Sequence, residues 1–144
     1  MQKAFPVLNA FLDGELQRLA LPPQALALVG FSQGTMMALH TGLRRAAPAA
    51  IVGYSGMLVA PEGQAPAAMK AEVTARPPVF LAHGDQDQVI PPEALMVSAQ
   101  GLAALDVPVE FHLSQGLGHG IDGDGLGLGA EFLVRHLVRD PARA

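Results

Sequence analysis

The sequence predicts an α/β protein in which a parallel sheet is flanked by helices. Two observations carry this prediction. Short apolar runs alternate along the chain with amphipathic segments of about 10–15 residues, a pattern typical of βαβ units. The first run, at 25–30, is continuously apolar and is bounded by prolines and a glycine, which indicates a strand buried on both faces.

Each predicted element follows from its local pattern. Apolar residues recur at intervals of three and four over residues 5–19, from Phe5 through Phe11 to Leu19, and predict a helix that ends before two prolines. The four predicted strands are at 25–30, 50–54, 78–82 and 107–113. Further helices are predicted at 33–45, 92–105 and 124–138, and one short helix around 67–73.

The composition narrows the class of protein. The chain has 144 residues, of which 50% are apolar and 15% charged, so we expect a single domain over residues 1–144 with its own hydrophobic core. The formal net charge is −4, and Lys and Arg are scattered along the chain. This distribution gives no electrostatic reason to expect nucleic acid or an anionic membrane as a partner.

The sequence lacks cysteine and long apolar segments. Without cysteine there is no disulfide, no thiolate metal site and no cysteine nucleophile. Asp13 and Glu15 interrupt the N-terminal region, so we expect no signal peptide. No stretch approaches the roughly 18 apolar residues of a membrane span. We therefore expect a cytoplasmic protein without stable membrane insertion.

The sharpest functional signal is a G-x-S-x-G motif, Gly30-Phe31-Ser32-Gln33-Gly34, between a predicted strand and a predicted helix. A serine in this context lies on a sharp turn, and the flanking glycines avoid clashes there, so the hydroxyl projects into a site. The backbone N–H of Gln33 would face a developing oxyanion. We interpret Ser32 as a nucleophile, against the alternative of an ordinary glycine-rich loop.

A serine nucleophile needs a base to accept its proton. His119 lies among glycines after the last predicted strand and has no evident packing role, so it is favoured over the alternative of a solvated loop residue. His83 is a rival, but it precedes the candidate acids, whereas α/β-hydrolases place the histidine last. We interpret His83 as a structural group that holds the acid loop. The remaining histidines fall within predicted helices or strands: His40, His112 and His136.

Two aspartates could orient the base, because Asp85 and Asp87 both follow the third predicted strand. The segment after Asp87, Gln88-Val89-Ile90-Pro91, should fix the loop and favours that residue. Aspartates often cap turns, so one of the two could have that role instead. The residues alone leave the choice open.

Taken together, these segments resemble the phospholipase/carboxylesterase group of α/β-hydrolases, which includes acyl-protein thioesterases and small bacterial carboxylesterases. The resemblance extends from about Phe5 to Leu137. The matching pieces occur in family order: Gly30-Phe31-Ser32-Gln33-Gly34, Tyr54-Ser55-Gly56, His83-Gly84-Asp85-Gln86-Asp87-Gln88-Val89-Ile90-Pro91 and Gly118-His119.

The resemblance implies a triad and a substrate site. The family's acid lies four residues after the histidine of its H-G-x-x-D motif, which here is Asp87. Similarity then makes Ser32 the nucleophile, His119 the base and the Gln33 N–H one oxyanion donor. It also assigns substrate binding to three further residues: Phe31, Met57 and Ile90.

The function that we predict is a serine carboxylic ester hydrolase, similar to carboxylesterases and lysophospholipases, that works through an acyl-enzyme. Its substrate would be a small-molecule ester or acyl-thioester. One alternative is an acyl-protein thioesterase, and another is a truncated, catalytically silent domain. No cofactor or metal is expected, because the sequence has no H-E-x-x-H motif, phosphate loop or dinucleotide fingerprint.

Members of the resembled family are longer at the N-terminus, where several strands and a His-Gly-rich loop supply a second oxyanion N–H. No such loop precedes Ser32, so we expect an α/β-hydrolase-type sheet that lacks the N-terminal strands. The strand predicted at 25–30 would then form an exposed sheet edge. An exposed apolar edge invites pairing with another chain, so we expect a homodimer through this edge, or aggregation.

Overall fold

The computed structural model describes residues 1–60, 63–64 and 66–137. Within these ranges the chain forms four strands and four α-helices. In chain order they are α1 (Ala4–Leu19), β1 (Ala27–Phe31), α2 (Gln33–Gly42), β2 (Ala50–Tyr54), β3 (Val79–Gly84), α3 (Glu93–Ala104), β4 (Val109–Ser114) and α4 (Gly123–Leu137). Two short 3-10 turns complete the described structure, at Pro23–Ala25 and Pro66–Ala71.

The four strands form one parallel sheet whose spatial order is the same as their chain order, β1-β2-β3-β4. Helices α2 and α3 connect strand pairs, as expected for parallel neighbours that need a crossover. The predicted α/β class, with a parallel sheet flanked by helices, is confirmed.

Successive strand residues point to opposite faces, and each face has its own apolar cluster. On one face, Ile51, Val79 and Leu81 pack with buried leucines of α1, α2 and α3. On the other face, Val52 and Phe80 pack against Phe132 of α4. The sheet is therefore the middle layer, with three helices on one side and α4 on the other.

The expectation that the first strand is buried on both faces was wrong. Leu28 faces the core, but Val29 is 58% exposed and Phe31 43% exposed on the opposite face. The reason is position, because β1 lies at the edge of the sheet while α4 packs against β2, β3 and β4. The expected edge position of this strand is confirmed.

Several predicted boundaries shift by a few residues. The strand predicted at 25–30 begins at Ala27, because Pro23–Ala25 form a 3-10 turn. The helix predicted to reach residue 45 ends at Gly42. The third strand extends beyond its predicted end to Gly84. Residue 138 of the last predicted helix lies outside the described residues.

Helix α1 buries less than its apolar spacing predicts. Leu12 is buried, but Phe11 and Leu19 are exposed, since α1 packs mainly against α2. The short helix predicted at 67–73 is a 3-10 turn at Pro66–Ala71. None of the helices in the described ranges is long and apolar enough to cross a membrane.

We predict that Phe132→Ala destabilises the fold by about 3–5 kcal/mol, because it removes a large side chain from the cluster beneath α4. Phe132 is 1% exposed, and its ring centroid lies 5.8 Å from that of Phe80. Urea denaturation followed by circular dichroism measures the change. The control is Val134→Ala on the same helix, where the side chain is 62% exposed and the expected change is within about 0.5 kcal/mol. Equal losses for the two variants would contradict the assigned packing of α4.

Candidate active site

Ser32 lies on the sharp turn between β1 and α2. Its backbone has φ 56° and ψ −117°, a conformation that a non-glycine residue adopts only when its surroundings impose it. The Ser32 N–H donates to the carbonyl of Tyr54 at 2.8 Å, and the Ser32 carbonyl accepts from the Thr35 N–H at 3.0 Å. These bonds hold the turn that presents the hydroxyl.

The two motif glycines have different roles. A Cβ on Gly30 would lie 2.5 Å from the backbone nitrogen of Thr35, so the close approach of β1 to α2 requires glycine here. A Cβ on Gly34 would meet no atom within 4 Å among the described residues. The sequence-based expectation that both glycines relieve clashes is therefore correct for Gly30 and wrong for Gly34.

The end of β2 and the segment after it pack against the turn at Ser32. The Tyr54 carbonyl accepts a second hydrogen bond from the Thr35 hydroxyl at 2.9 Å. A Cβ on Gly56 would lie 2.7 Å from the Ser32 carbonyl oxygen, so this position also requires a residue without a side chain. The turn is thus fixed on its inner side by backbone contacts from the neighbouring strand.

His119, on the loop after β4, lies between a hydroxyl and a carboxylate. Its Nε2 is 3.1 Å from Ser32 Oγ, and its Nδ1 is 2.8 Å from Asp87 Oδ2. An ionised carboxylate only accepts hydrogen bonds, so Nδ1 carries the proton and Nε2 is left as an acceptor for the serine hydroxyl. This is the arrangement by which a base accepts a proton from a serine.

Asp87 is buried on the loop between β3 and α3 and accepts several hydrogen bonds. Its Oδ1 accepts from the backbone N–H groups of Val89 at 2.8 Å and Ile90 at 2.9 Å, while Oδ2 accepts from His119. Burial raises the pKa of Asp87, but the hydrogen bonds from His119, Ile90 and Val89 outweigh burial, so the pKa lies below its ordinary value. The carboxylate therefore stays ionised where the imidazole needs a negative partner.

Asp85 has a different position from Asp87. Its Oδ1 accepts from the Gly116 N–H at 2.7 Å, and its own N–H donates to the Ser114 carbonyl at 3.0 Å. A third bond joins Gln86 N–H to the Leu117 carbonyl at 2.9 Å. Asp85 thus fastens the loop 85–92, which carries Asp87 and is called here the acid loop, to the loop 115–122, which carries His119 and is called here the base loop. Asp85 itself does not bond to His119.

Ser55 connects the second strand to the base loop. It is fully buried, its φ is 49°, and its hydroxyl donates to the Gly120 carbonyl at 2.7 Å. Its backbone N–H donates to the Ala82 carbonyl at 2.8 Å. Ser55 was noted in the sequence only as part of a family motif, and its contact with the residue after His119 could not be read from spacing.

Two of the residues predicted to bind substrate, Phe31 and Gln33, flank Ser32 in the chain. Gln33 is the first residue of α2, so its backbone N–H has no acceptor within the helix and is directed away from it. The Phe31 ring lies 4.9 Å from the His119 imidazole, centroid to centroid, and is tilted by 44°. Phe31 therefore contacts the His119 imidazole.

Met57 and Ile90 lie on the two loops beside the triad residues. Met57 is partly exposed directly after Gly56. Ile90 is only 7% exposed, and its backbone N–H and carbonyl bond to Asp87 and to His83. The neighbouring Val89 is 67% exposed, so of these two apolar side chains Val89 is the one that a ligand could reach.

No group of three or more histidine and acidic side chains in the described part of the chain is arranged to hold a metal ion. The site instead consists of a hydroxyl, an imidazole and a carboxylate at the carboxyl ends of β1, β4 and β3. That arrangement, on a parallel sheet, defines the hydrolase class of α/β proteins.

Comparison with known proteins places the chain within that class. The family model described as Phospholipase/Carboxylesterase matches residues 1–137, and the chain belongs to this family. In solved structures, it is similar to esterase PE8, with 42% identity and a TM-score of 0.87 over 94% of this chain and 61% of that one.

Two curated relatives are fungal proteins named acyl-protein thioesterase 1. The protein from Gibberella zeae is 32% identical over 67% of this chain and 42% of its own length. The protein from Neurospora crassa is 30% identical over 83% of this chain and 49% of its own length. The chain thus spans about half the length of the curated relatives it matches.

We predict that Gly30→Ala disrupts the nucleophile turn and destabilises the protein by about 1–3 kcal/mol, because its Cβ would overlap backbone that cannot move aside. Gly34→Ala is the matched control. It meets open space within a helix, where alanine is favoured over glycine by about 1 kcal/mol. Thermal and urea unfolding of both variants measure the difference. A Gly30→Ala variant as stable as the Gly34→Ala variant would contradict the geometry of the turn.

Proposed function

We propose that this chain is a serine carboxylic ester hydrolase that acts through an acyl-enzyme intermediate. The observation that carries the proposal is the continuous contact from Ser32 Oγ to His119 Nε2 at 3.1 Å and from His119 Nδ1 to Asp87 Oδ2 at 2.8 Å. Membership of a family of esterases and thioesterases supports the same reaction class. The substrate class that follows is a small-molecule ester or acyl-thioester.

The reaction proceeds in two halves. His119 accepts the proton of Ser32 as Oγ attacks the carbonyl carbon, and Asp87 stabilises the imidazolium that forms. His119 then gives that proton to the leaving alcohol, whose bond to the acyl carbon breaks, and the acyl group remains on Ser32. A water molecule activated by His119 attacks the acyl-enzyme, releases the acid and restores the serine.

The negative oxygen of each tetrahedral intermediate needs hydrogen-bond donors. The Gln33 N–H at the start of α2 is one such donor, and enzymes of this class use a second N–H from another loop. Loss of one oxyanion donor lowers kcat on the order of 10²–10³. An intact triad with the Gln33 donor alone would therefore give slow but serine-dependent turnover.

A second candidate is hydrolysis of acyl-thioesters, which is favoured by the fungal relatives named acyl-protein thioesterase 1. The same triad would act, and a thiol would leave in place of an alcohol. The exposed Val89 beside the acid offers apolar surface to an acyl chain. Comparing kcat/KM for an ester and a thioester of the same acyl chain separates the two candidates.

A catalytically silent domain is the alternative from another class, since the chain covers only about half of its curated relatives. It predicts a folded protein without serine-dependent turnover. The cytoplasmic location expected from the sequence stays a prediction.

We predict that the purified chain hydrolyses a short p-nitrophenyl ester, and that Ser32→Ala and His119→Ala both reduce the rate to that of buffer. The reason is that each variant removes one end of the proton-transfer contact. A fluorophosphonate probe should label wild-type Ser32 once, as measured by intact mass.

His40→Ala is the histidine control for this experiment and should leave the rate unchanged, since His40 lies on α2 and packs against Phe5 of α1. Equal background rates for the folded wild type and the Ser32→Ala variant would contradict the proposal for this chain and favour the catalytically silent domain.

We predict that the chain forms a homodimer through the free edge of β1. In the part of the chain that the structure describes, this strand pairs on one side only, and it has two exposed apolar side chains, Val29 and Phe31. A lysine at an edge opposes strand pairing, so Val29→Lys should shift sedimentation towards monomer. Val134→Lys, an exposed site on α4, is the control and should not. A monodisperse wild-type monomer at high concentration would refute the dimer.

A further inference from the structure

His83 is a buried imidazole that the proposed reaction does not use. It lies on β3, four residues before Asp87, and is 2% exposed. Its Nε2 is 2.9 Å from the Ile90 carbonyl oxygen and 3.3 Å from Asp87 Oδ2. A carbonyl oxygen only accepts hydrogen bonds, so Nε2 carries a proton and donates it to Ile90, while Asp87 Oδ2 lies 3.3 Å from the same nitrogen.

Asp87 Oδ2 therefore has two imidazoles beside it. His119 Nδ1 approaches at 2.8 Å and His83 Nε2 at 3.3 Å, while Oδ1 is occupied by two backbone N–H groups. An imidazole N–H at this distance presents its positive end near Oδ2 and so offsets part of the negative potential that this oxygen offers to His119. The same donor joins the acid to the Ile90 carbonyl and so fixes the short loop between them.

We propose that His83 is a positioning residue of the Ser32–His119–Asp87 site, which holds the Asp87 carboxylate in place and limits how strongly that carboxylate stabilises protonated His119. The inference rests on the proposed function, because it treats His119 as the base. His83 acts through Asp87 and makes no contact with the reacting serine.

Of the charged and titratable groups around His83, the Asp87 carboxylate is the one through which the imidazole can act on His119. Among the residues that the structure describes, Asp87 is the acid within ion-pair distance of the imidazole. From the base loop, His119 faces the same carboxylate. On the acid loop, the Asp85 carboxylate bonds to the Gly116 N–H, and at the start of α3, Glu93 is exposed to solvent.

The expected effect of removing the donor has two parts. Without the His83 N–H beside Oδ2, Asp87 stabilises the imidazolium of His119 more strongly. The acid limb of the pH profile, the range in which kcat/KM rises with pH, therefore moves to higher pH. The Ile90 carbonyl also loses its partner. The acid loop is then held less firmly, and kcat falls while KM changes little.

The test compares wild type, His83→Leu and His83→Gln in p-nitrophenyl ester hydrolysis over a range of pH. Gln can place its amide N–H near the position of the imidazole Nε2–H, whereas Leu fills the space without a donor. We expect His83→Leu to lower kcat about 10–100-fold, as outer partners of functional histidines in metal sites do, and to move the acid limb upward. His83→Gln should restore most of both properties. His40→Leu on α2 is the control, with kcat and the acid limb unchanged.

A readout without turnover separates this inference from the proposed function. The His119 imidazole can be titrated by NMR in each folded variant, and its midpoint should move to higher pH in His83→Leu and return in His83→Gln. If the wild type is not an esterase, this titration still tests the role of His83. If His83→Leu does not fold, His83→Asn, whose amide is too short to reach both oxygens, replaces it.

Two results would overturn the inference. One is an acid limb or His119 midpoint that stays in place or moves to lower pH in the variant without the donor. The other is a His83→Gln variant that is as impaired as His83→Leu, since imidazole packing and not the N–H would then matter.

Discussion

The buried carboxylate of Asp87 is the interaction on which the rest of the site depends. Its Oδ1 accepts from two backbone N–H groups of its own loop and its Oδ2 accepts from His119, while His83 Nε2 lies 3.3 Å from Oδ2. A buried anion without such partners would be protonated or would destabilise the fold. The same bonds that keep it ionised therefore also set the direction of the His119 ring and the shape of the loop before α3.

The parallel sheet brings these groups together from distant parts of the chain. Ser32, Asp87 and His119 follow β1, β3 and β4, and parallel strands end at one edge of the sheet. Contacts between loops then fix the distances. Asp85 and Gln86 bond the acid loop to the base loop, and Ser55 holds the base loop through Gly120. The site is thus positioned by short backbone bonds more than by the side chains that react.

Strand β1 leads into the site and also lies at the edge of the described sheet. Its inner edge pairs with β2 and leads into the strained turn at Ser32, whereas its outer edge has no neighbour in the described chain. The exposed Phe31 lies against His119, so a second chain paired at this edge would also alter the surroundings of His119. The proposed dimer and the proposed chemistry would therefore affect each other.

The sequence by itself determined the α/β class, the order of the elements and the candidate triad, because these depend on local patterns: apolar runs, proline and glycine positions, and motifs of known context. The residues alone left open whether Asp85 or Asp87 is the acid. They also predicted that both motif glycines avoid clashes and that the first strand is buried on both faces. The resemblance implied Asp87, and the tertiary structure brings Asp87 and not Asp85 beside His119. The points about the glycines and the first strand were decided by the tertiary structure alone, since they depend on residues far apart in the chain. The Gly116 N–H bonds to the Asp85 carboxylate. The backbone of Thr35 lies close to Gly30, whereas there is open space beside Gly34, and α4 packs on the strands beyond β1.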